Sequence, residues 1–347
     1  MVSKIYEKNM FRKRTKGLRI CEKYDILIKT TGSKRKGVGN MITGLMAGVF
    51  WAADTVILGI ALAMTPFVSG EQAVLLAPLV STFLHDFCSA LWMLLYTGIR
   101  REFRGVARAL KTRSGKFIIL GALLGGPVGM SGYVAAIGFM GAGYTSIVSS
   151  IFPAIGALLS CIFLKEKMKG YQIAGLVVSL LGVIGLGYTP GEAGQNYVLG
   201  FLCVAVCVLG WSLEAVICAY GMRDPEVTNE HALMIRQGTS AIFYGLVLLP
   251  VVKGWGITLS AAASSAMPVI LAAAFFGTAS YLCYYLAIHR LGAAKAMPLD
   301  VTYSAWALVF GAVFLHTIPD WTSIGFGILT VCGSIVAACD VREIVRK

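Results

Sequence analysis

The chain has 347 residues, of which 57% are hydrophobic and only 14% charged, with a mean hydropathy of +0.76; soluble domains carry about 25% charged residues. This composition excludes a disordered chain, a disulfide-rich secreted domain and an ordinary soluble enzyme, and it points to an all-α membrane protein. The net charge of +13, from 30 Lys and Arg against 17 Asp and Glu, would suggest nucleic acid in a soluble protein; in a membrane protein it records topology, because Lys and Arg collect in cytoplasmic loops, and no nucleic-acid partner is expected.

Residues 1–40 carry twelve Lys and Arg and no long apolar run. They read as a basic, disordered cytoplasmic tail without the apolar core of a signal peptide; attraction to anionic lipid is the alternative. From Met41, apolar stretches long enough to cross a bilayer as helices recur: 41–64, 73–99, 117–138, 142–164, 171–189, 197–221, 231–252, 267–288, 292–316 and 321–341. Residues 342–347 form a cytoplasmic C-terminus. With the N-terminus inside, 28 of the 30 basic residues fall in cytoplasmic segments, Lys253 alone falls outside, and Arg236 lies within a helix. That asymmetry supports ten crossings of the inner (plasma) membrane with both termini cytoplasmic. Eight of the nine Cys sit in apolar stretches without a CxxC pair, as reduced thiols used in packing do.

An internal repeat is legible. Shifted by 151, residues 120–142 fall on 271–293 with eight identities in 23 positions, including Gly126 on Gly277, Tyr133 on Tyr284 and Gly141 on Gly292. The halves, 41–190 and 197–341, hold five helices each. An odd number sends the second half into the membrane in the opposite sense, so the fold expected is two inverted five-helix repeats, a design suited to alternating access around a midplane site.

Several polar residues interrupt these stretches. At a shift of 160, Trp51-Ala-Ala-Asp54 in the first helix falls on Trp211-Ser-Leu-Glu214 in the sixth. A charged carboxylate in mid-helix costs about 2.5–3.5 kcal/mol on insertion scales, so Asp54 and Glu214 are candidates for facing one cavity and binding a cation or a proton; the bland alternative is that each only holds helices together. In the second and seventh helices, His85 and Asp86 fall on Arg236 and Gln237. Arg236, near a helix end, either snorkels to the interface or binds an anionic solute group, and a direct pair with both Asp54 and Glu214 is not expected. His85-Asp86 is either an internally bonded pair or a proton relay. Asp300 and Tyr303 follow Pro298, and Ser146, Ser149 and Ser150 precede Pro153, so both helices are expected to be kinked near the repeat interface. Tyr133 and Tyr284, mates under the repeat, are candidate cavity walls or core filler.

Enzyme signals are poor. Gly129-Met-Ser131-Gly132 contains a short GxSG, but no histidine other than His85 could activate Ser131, and glycines at spacing three read better as a close-packing face. There is no Walker lysine motif and no metal-ligand spacing. No cofactor and no metal are expected.

These features together resemble the drug/metabolite transporter superfamily, specifically the EamA-type ten-helix transporters, over about residues 41–341. The supporting residues are the Trp51 and Trp211 helices, Arg236, and Phe163-Leu-Lys-Glu166-Lys-Met168 followed by Gln172, Gly175 and Gly182. The second copy of that last motif is degenerate, with His316-Thr317 where Lys-Glu would stand. The resemblance implies export or import of small organic solutes, among them amino acids, metabolites and toxic compounds. It also implies a cavity lined by helices 1, 3, 4, 6, 8 and 9, with 5 and 10 peripheral. The partners expected are a small-molecule solute and the lipid bilayer; proton coupling and facilitated movement both stay open. A pore or lipid-handling scaffold is the alternative, an intramembrane enzyme a more distant one.

The topology is directly testable. Reporter fusions at Lys253 and Lys347 should report opposite sides of the membrane; the same side for both would sink the inverted arrangement.

Overall fold

The computed structural model describes residues 39–140, 145, 148–187, 196–316 and 318–339; the basic tail and the C-terminal segment expected from the sequence fall outside them. Within these residues the chain is all-helical. Eight helices are long and apolar enough to cross a membrane: α1 (Gly39–Leu62), α2 (Glu71–Ile99), α4 (Arg113–Met140), α7 (Tyr197–Gly221), α8 (Asn229–Val251), α10 (Ala266–Leu291), α11 (Ala293–Phe314) and α12 (Trp321–Ala338). Two shorter apolar helices, α5 (Phe152–Phe163) and α6 (Gly170–Gly187), occupy the fourth and fifth predicted segments. Two further short helices, α3 (Phe103–Lys111) and α9 (Trp255–Ala262), link crossings.

Helices are the outcome because lipid offers no hydrogen bonds, so each apolar run must satisfy its backbone internally. Where the chain leaves the apolar runs, side chains take over the orphan amides of the first turn. Thr112, Asn196, Thr228 and Asp320 each accept from the backbone N–H three residues on, at 2.8–3.2 Å. Large apolar side chains such as Leu75, Ile99, Val198, Leu246 and Val313 stand exposed around the bundle. In water they would form an aggregating surface; here they face lipid.

The expected helix breaks are present. Helix α11 is two pieces, Ala293–Asp300 and Tyr303–Phe314, joined by a turn at Val301-Thr302. The 151 shift carries that turn onto Ser150-Ile151, where the chain turns into α5. Pro153 therefore lies in the first turn of α5, where its missing N–H leaves no ladder bond unmade, rather than kinking a helix interior. Two π-helical turns, Leu124–Gly129 in α4 and Tyr244–Leu248 in α8, have no counterpart in the sequence reading. The first contains Pro127, which has no amide to donate.

Helices α6 and α12 pack along each other at the edge of the bundle. A Cβ on Gly175 would stand 2.8 Å from the Gly333 carbonyl oxygen and 2.6 Å from the Ala337 nitrogen, so the two backbones touch. The Ser179 and Ser334 hydroxyls bond at 2.8 Å, and Gln172 Nε2 donates to the Cys339 carbonyl at 3.0 Å. Close backbone approach with hydroxyl cross-links is how helices associate where lipid removes the hydrophobic drive. We expect Gly175→Leu to force the pair apart and destabilise the protein by about 1–3 kcal/mol, read as a lower melting temperature in mild detergent. Gly325→Ala, on the open face of α12, is the control. A wild-type melt for Gly175→Leu would show that this contact is not tight.

Candidate functional site

The polar residues singled out within the helices converge. Asp54, His85, Asp86, Glu214, Arg236 and Asp300 each expose no more than 8% of their surface. Ions removed from water to this degree survive only with partners, and five of the six have them. His85 Nε2 lies 3.0 Å from Asp54 Oδ1, joining α2 to α1. Arg236 Nε donates to Glu214 Oε1 at 2.7 Å, joining α8 to α7. Under the repeat these are the same pair, base on the second helix and acid on the first, drawn once in each half. Asp86 links them. Its carboxylate receives Arg236 Nη1 at 3.2 and 3.3 Å and the Ser240 hydroxyl at 2.5 Å, and it lies 3.6 Å from His85 Nδ1. The remaining Arg236 donors reach Gln237 Oε1 at 2.9 Å and the Tyr281 hydroxyl at 3.0 Å.

Two glycines make room for the pairs. A Cβ on Gly277 of α10 would stand 2.6 Å from His85 Nε2 and 2.9 Å from Asp54 Oδ2, and a Cβ on Gly125 of α4 would collide with the Glu214 carboxylate. Each half thus brings a bare stretch of backbone against the ion pair of the other half.

The network borders a cavity of about 460 Å³, a volume suited to a small-molecule site. Trp51, Trp211, Phe152, Tyr284 and Asp300 line one part of it, and Leu58, Leu62, Thr82 and Met130 another. Leu62 is eight residues beyond Asp54 on α1, about 12 Å along the axis, so the cavity runs from the charged centre toward the α1–α2 turn. Beyond the centre in the other direction the bundle is filled by Met93, Leu164, Val216, Met222, Ile288 and Met297.

Of the residues expected at the site, Trp51, Asp54, Trp211, Glu214, Arg236, Tyr284 and Asp300 line this cavity. Tyr303 and Tyr133 are not among its lining residues and stand against the tryptophans instead. Tyr303 stacks on Trp51 with ring centroids 3.9 Å apart, and Tyr133 lies 5.6 Å from Trp211. Phe152, the repeat mate of Tyr303, meets Trp211 edge-on at 5.5 Å. The snorkelling reading of Arg236 is corrected: the side chain is buried and turned inward. Of the two acids it pairs with Glu214 alone, while Asp54 is held by His85, in line with the expectation that it would not pair with both. Helices α2 and α8, absent from the lining that the resemblance implied, contribute Thr82, His85, Asp86 and Arg236. Tyr281 and Ser240 were missed as site residues, although the register that put His85-Asp86 on Arg236-Gln237 pointed to two of the helices involved.

Asp300 differs from the rest. It is buried, it lines the cavity, and its Oδ1 has no hydrogen-bond partner. Among the described residues no cluster of His, Cys, Asp and Glu is arranged to hold a metal ion.

The EamA-like transporter family model matches the chain twice, over residues 40–188 and 198–339. Protein LicB of Haemophilus influenzae is 31% identical over 271 residues, covering 77% of this chain and 86% of its own. An uncharacterized transporter of Clostridium kluyveri is 27% identical, covering 50% of this chain and 56% of its own. A probable terminal-alkyne amino-acid exporter of Streptantibioticus cattleyicolor is 24% identical over 60% of this chain and 69% of its own. One crystal structure of a protein with 18% identity superposes with a TM-score of 0.65, covering 86% of this chain and 97% of that one, which speaks to the fold. The chain belongs to the EamA-like transporter family and is a multi-pass membrane transporter, not a member of an enzyme family.

Because Arg236 serves two buried carboxylates, Arg236→Gln should destabilise the protein by about 3–5 kcal/mol, the usual penalty for stranding buried charge. Adding Glu214→Gln should recover part of that loss, since the amide needs no cation. Arg236→Lys should fall between, because a point charge cannot reproduce the three-way fork. Thermal melting of the purified variants checks this order; a wild-type melt for Arg236→Gln would mean the network does not stabilise the fold.

Proposed function

We propose that this EamA-like protein is an alternating-access transporter whose central cavity takes a small organic cation. In this reading the halves 41–190 and 197–341 are inverted repeats, both termini are cytoplasmic, and the cavity reaches toward the outer side, because its lining runs from the charged centre to Leu62 near the α1–α2 turn. The packed end speaks against an open pore.

The observation that carries the cation reading is the charge count around the cavity. Four carboxyl groups, Asp54, Asp86, Glu214 and Asp300, face one guanidinium and one imidazole. Four of the five guanidinium N–H donors already have protein acceptors, spread over Nε, Nη1 and Nη2, so no two are left to grip a carboxylate side by side. An anionic solute would have to break those bonds, whereas an ammonium group would find the unpartnered Asp300 carboxyl. The walls agree, since Trp51, Trp211, Phe152 and Tyr284 present aromatic faces, which attract desolvated cations. The ammonium end of an amino acid fits the same account, and the name of the Streptantibioticus relative makes amino acids worth including in any screen.

The test is uptake into proteoliposomes of a panel matched in size: tetramethylammonium and ethanolamine, neutral amides, and short carboxylates. We expect the cations to be taken up, and Asp300→Asn to weaken their apparent affinity tenfold or more, as loss of a charge-assisted contact of about 1.5–3 kcal/mol implies. Preference for carboxylates, or unchanged cation uptake by Asp300→Asn, would overturn the reading.

A further inference from the structure

The two repeat-related ion pairs differ most in their bases. Where the second half places an arginine, which stays protonated at any physiological pH, the first half places His85, the side chain whose charge can change near neutrality. We propose that His85 is the proton-binding site of the transport cycle and that its proton exchanges with the cationic solute in the shared cavity. This rests on the cation reading of that cavity and adds to it what the solute is traded for.

The surroundings of His85 fit such a role. Asp54 on α1 lies 3.0 Å from Nε2 and Asp86, the next residue on α2, lies 3.6 Å from Nδ1. From α8, Arg236 and Ser240 reach Asp86 rather than the ring. From α10 the surface against the ring is Gly277, with Ser280 and Tyr281 also on the cavity wall; Glu214 on α7 and Asp300 on α11 face the same space. A protonated ring therefore meets a carboxylate at each nitrogen. A neutral ring can still donate to one of them, so both states can be accommodated.

The alternatives are less free. Glu214 is held by Arg236 at 2.7 Å, and Asp86 by Arg236 and Ser240 together. Protonating either would remove one of the two carboxylates that compensate the buried guanidinium. His85 itself lines the cavity, so a proton can leave to cavity water without crossing packed side chains. The surplus negative charge is common to both passengers: a cation arriving at Asp300 repels the imidazolium across the cavity and makes its proton easier to lose. As the solute departs, the proton returns to the ring and the carboxylates are again compensated. The step moves one proton between an imidazole nitrogen and water and requires no further reactant.

The experiment uses the full chain, purified in detergent at low buffer capacity with a pH-sensitive dye. Tetramethylammonium and ethanolamine are added as probes, with tryptophan fluorescence recorded in parallel, because Trp51 and Trp211 line the cavity. Wild type should show a fluorescence change and release on the order of half a proton per cation bound at the pH where the ring is half-titrated. His85→Gln, which keeps a donor for Asp54, should bind without release. His85→Arg, which fixes the charge as in the other half, should bind at least tenfold more weakly, also without release. His231→Gln, altering a histidine outside the cavity, should behave as wild type. A fluorescence change without proton release from wild type would overturn the role of His85 and leave the cation reading standing. Release that survives in His85→Gln would assign the proton to another group and overturn it too. No fluorescence change with either probe would fail the cation reading, and this inference with it.

Discussion

Everything at the centre of this bundle depends on how a few charges are kept out of water. Asp86 is the pivot. It lies on α2 in the first half, yet its carboxylate receives the guanidinium that α8 of the second half supplies. Without it, Arg236–Glu214 and His85–Asp54 would be two separate pairs, each confined to its own half. With it, the halves share one network, and any rearrangement of one half against the other must keep or replace that bond. Burial makes the constraint strict, because an ion left alone in such surroundings costs several kcal/mol.

The backbone is shaped around this network. The π turn at Leu124–Gly129 carries Gly125, which has no side chain to strike Glu214. Wide turns of this kind re-aim a stretch of helix at the expense of regular bonding and are frequent at functional sites. Gly277 does the same for His85 and Asp54 with no interruption of α10. The turn at Val301-Thr302 then ends the first piece of α11 near the cavity, with Asp300 closing it there, and the turn at Ser150-Ile151 leads into α5, whose Phe152 lines the cavity. Polar side chains and broken backbone sit together because each is tolerable in a membrane only where it faces protein or a cavity.

Much of this was legible in the sequence. Ten apolar runs and the matched Trp-x-x-acid helices were enough to place the helices and to mark seven of the residues that line the cavity. What stayed hidden is what a linear register cannot carry. The 151 shift aligned His85-Asp86 with Arg236-Gln237, but it relates equivalent positions in the two halves and says nothing of contacts between them; the Asp86–Arg236 bond is such a contact. Depth was also misjudged. Arg236 is seven residues into α8, close enough to its end to suggest snorkelling, and only the position of Glu214 on the neighbouring helix shows why it turns inward. Tyr133 was placed by symmetry with Tyr284, yet it stands behind Trp211, because the helix faces of the two halves are not filled alike.

That difference between the halves extends to the packed end. Glu166, the acid of the Phe163–Met168 motif, sends its two oxygens to the Ala293 and Ala294 amides at 3.2 and 2.9 Å. It caps the helix whose far end carries Asp300. Gly292, at φ +85°, has these oxygens 2.7 and 2.8 Å from where a Cβ would lie, so the turn favours glycine for both backbone and steric reasons. A carboxylate at a helix N-terminus also meets the positive end of the helix dipole. A second tie runs from Arg223 Nη2 to the Leu164 carbonyl at 2.9 Å. Both bonds lie at the end opposite the α1–α2 turn, and both join the first half to the second. In the second copy of the motif, His316-Thr317 stands in place of Lys-Glu, so no carboxylate exists there to cap a helix of the first half in the same way. The charged clasp at the end of Glu166 and Arg223 is thus not written a second time by the repeated motif. In the alternating-access reading proposed above, that inequality gives a chain built from two similar halves a physical reason to favour one of its two states.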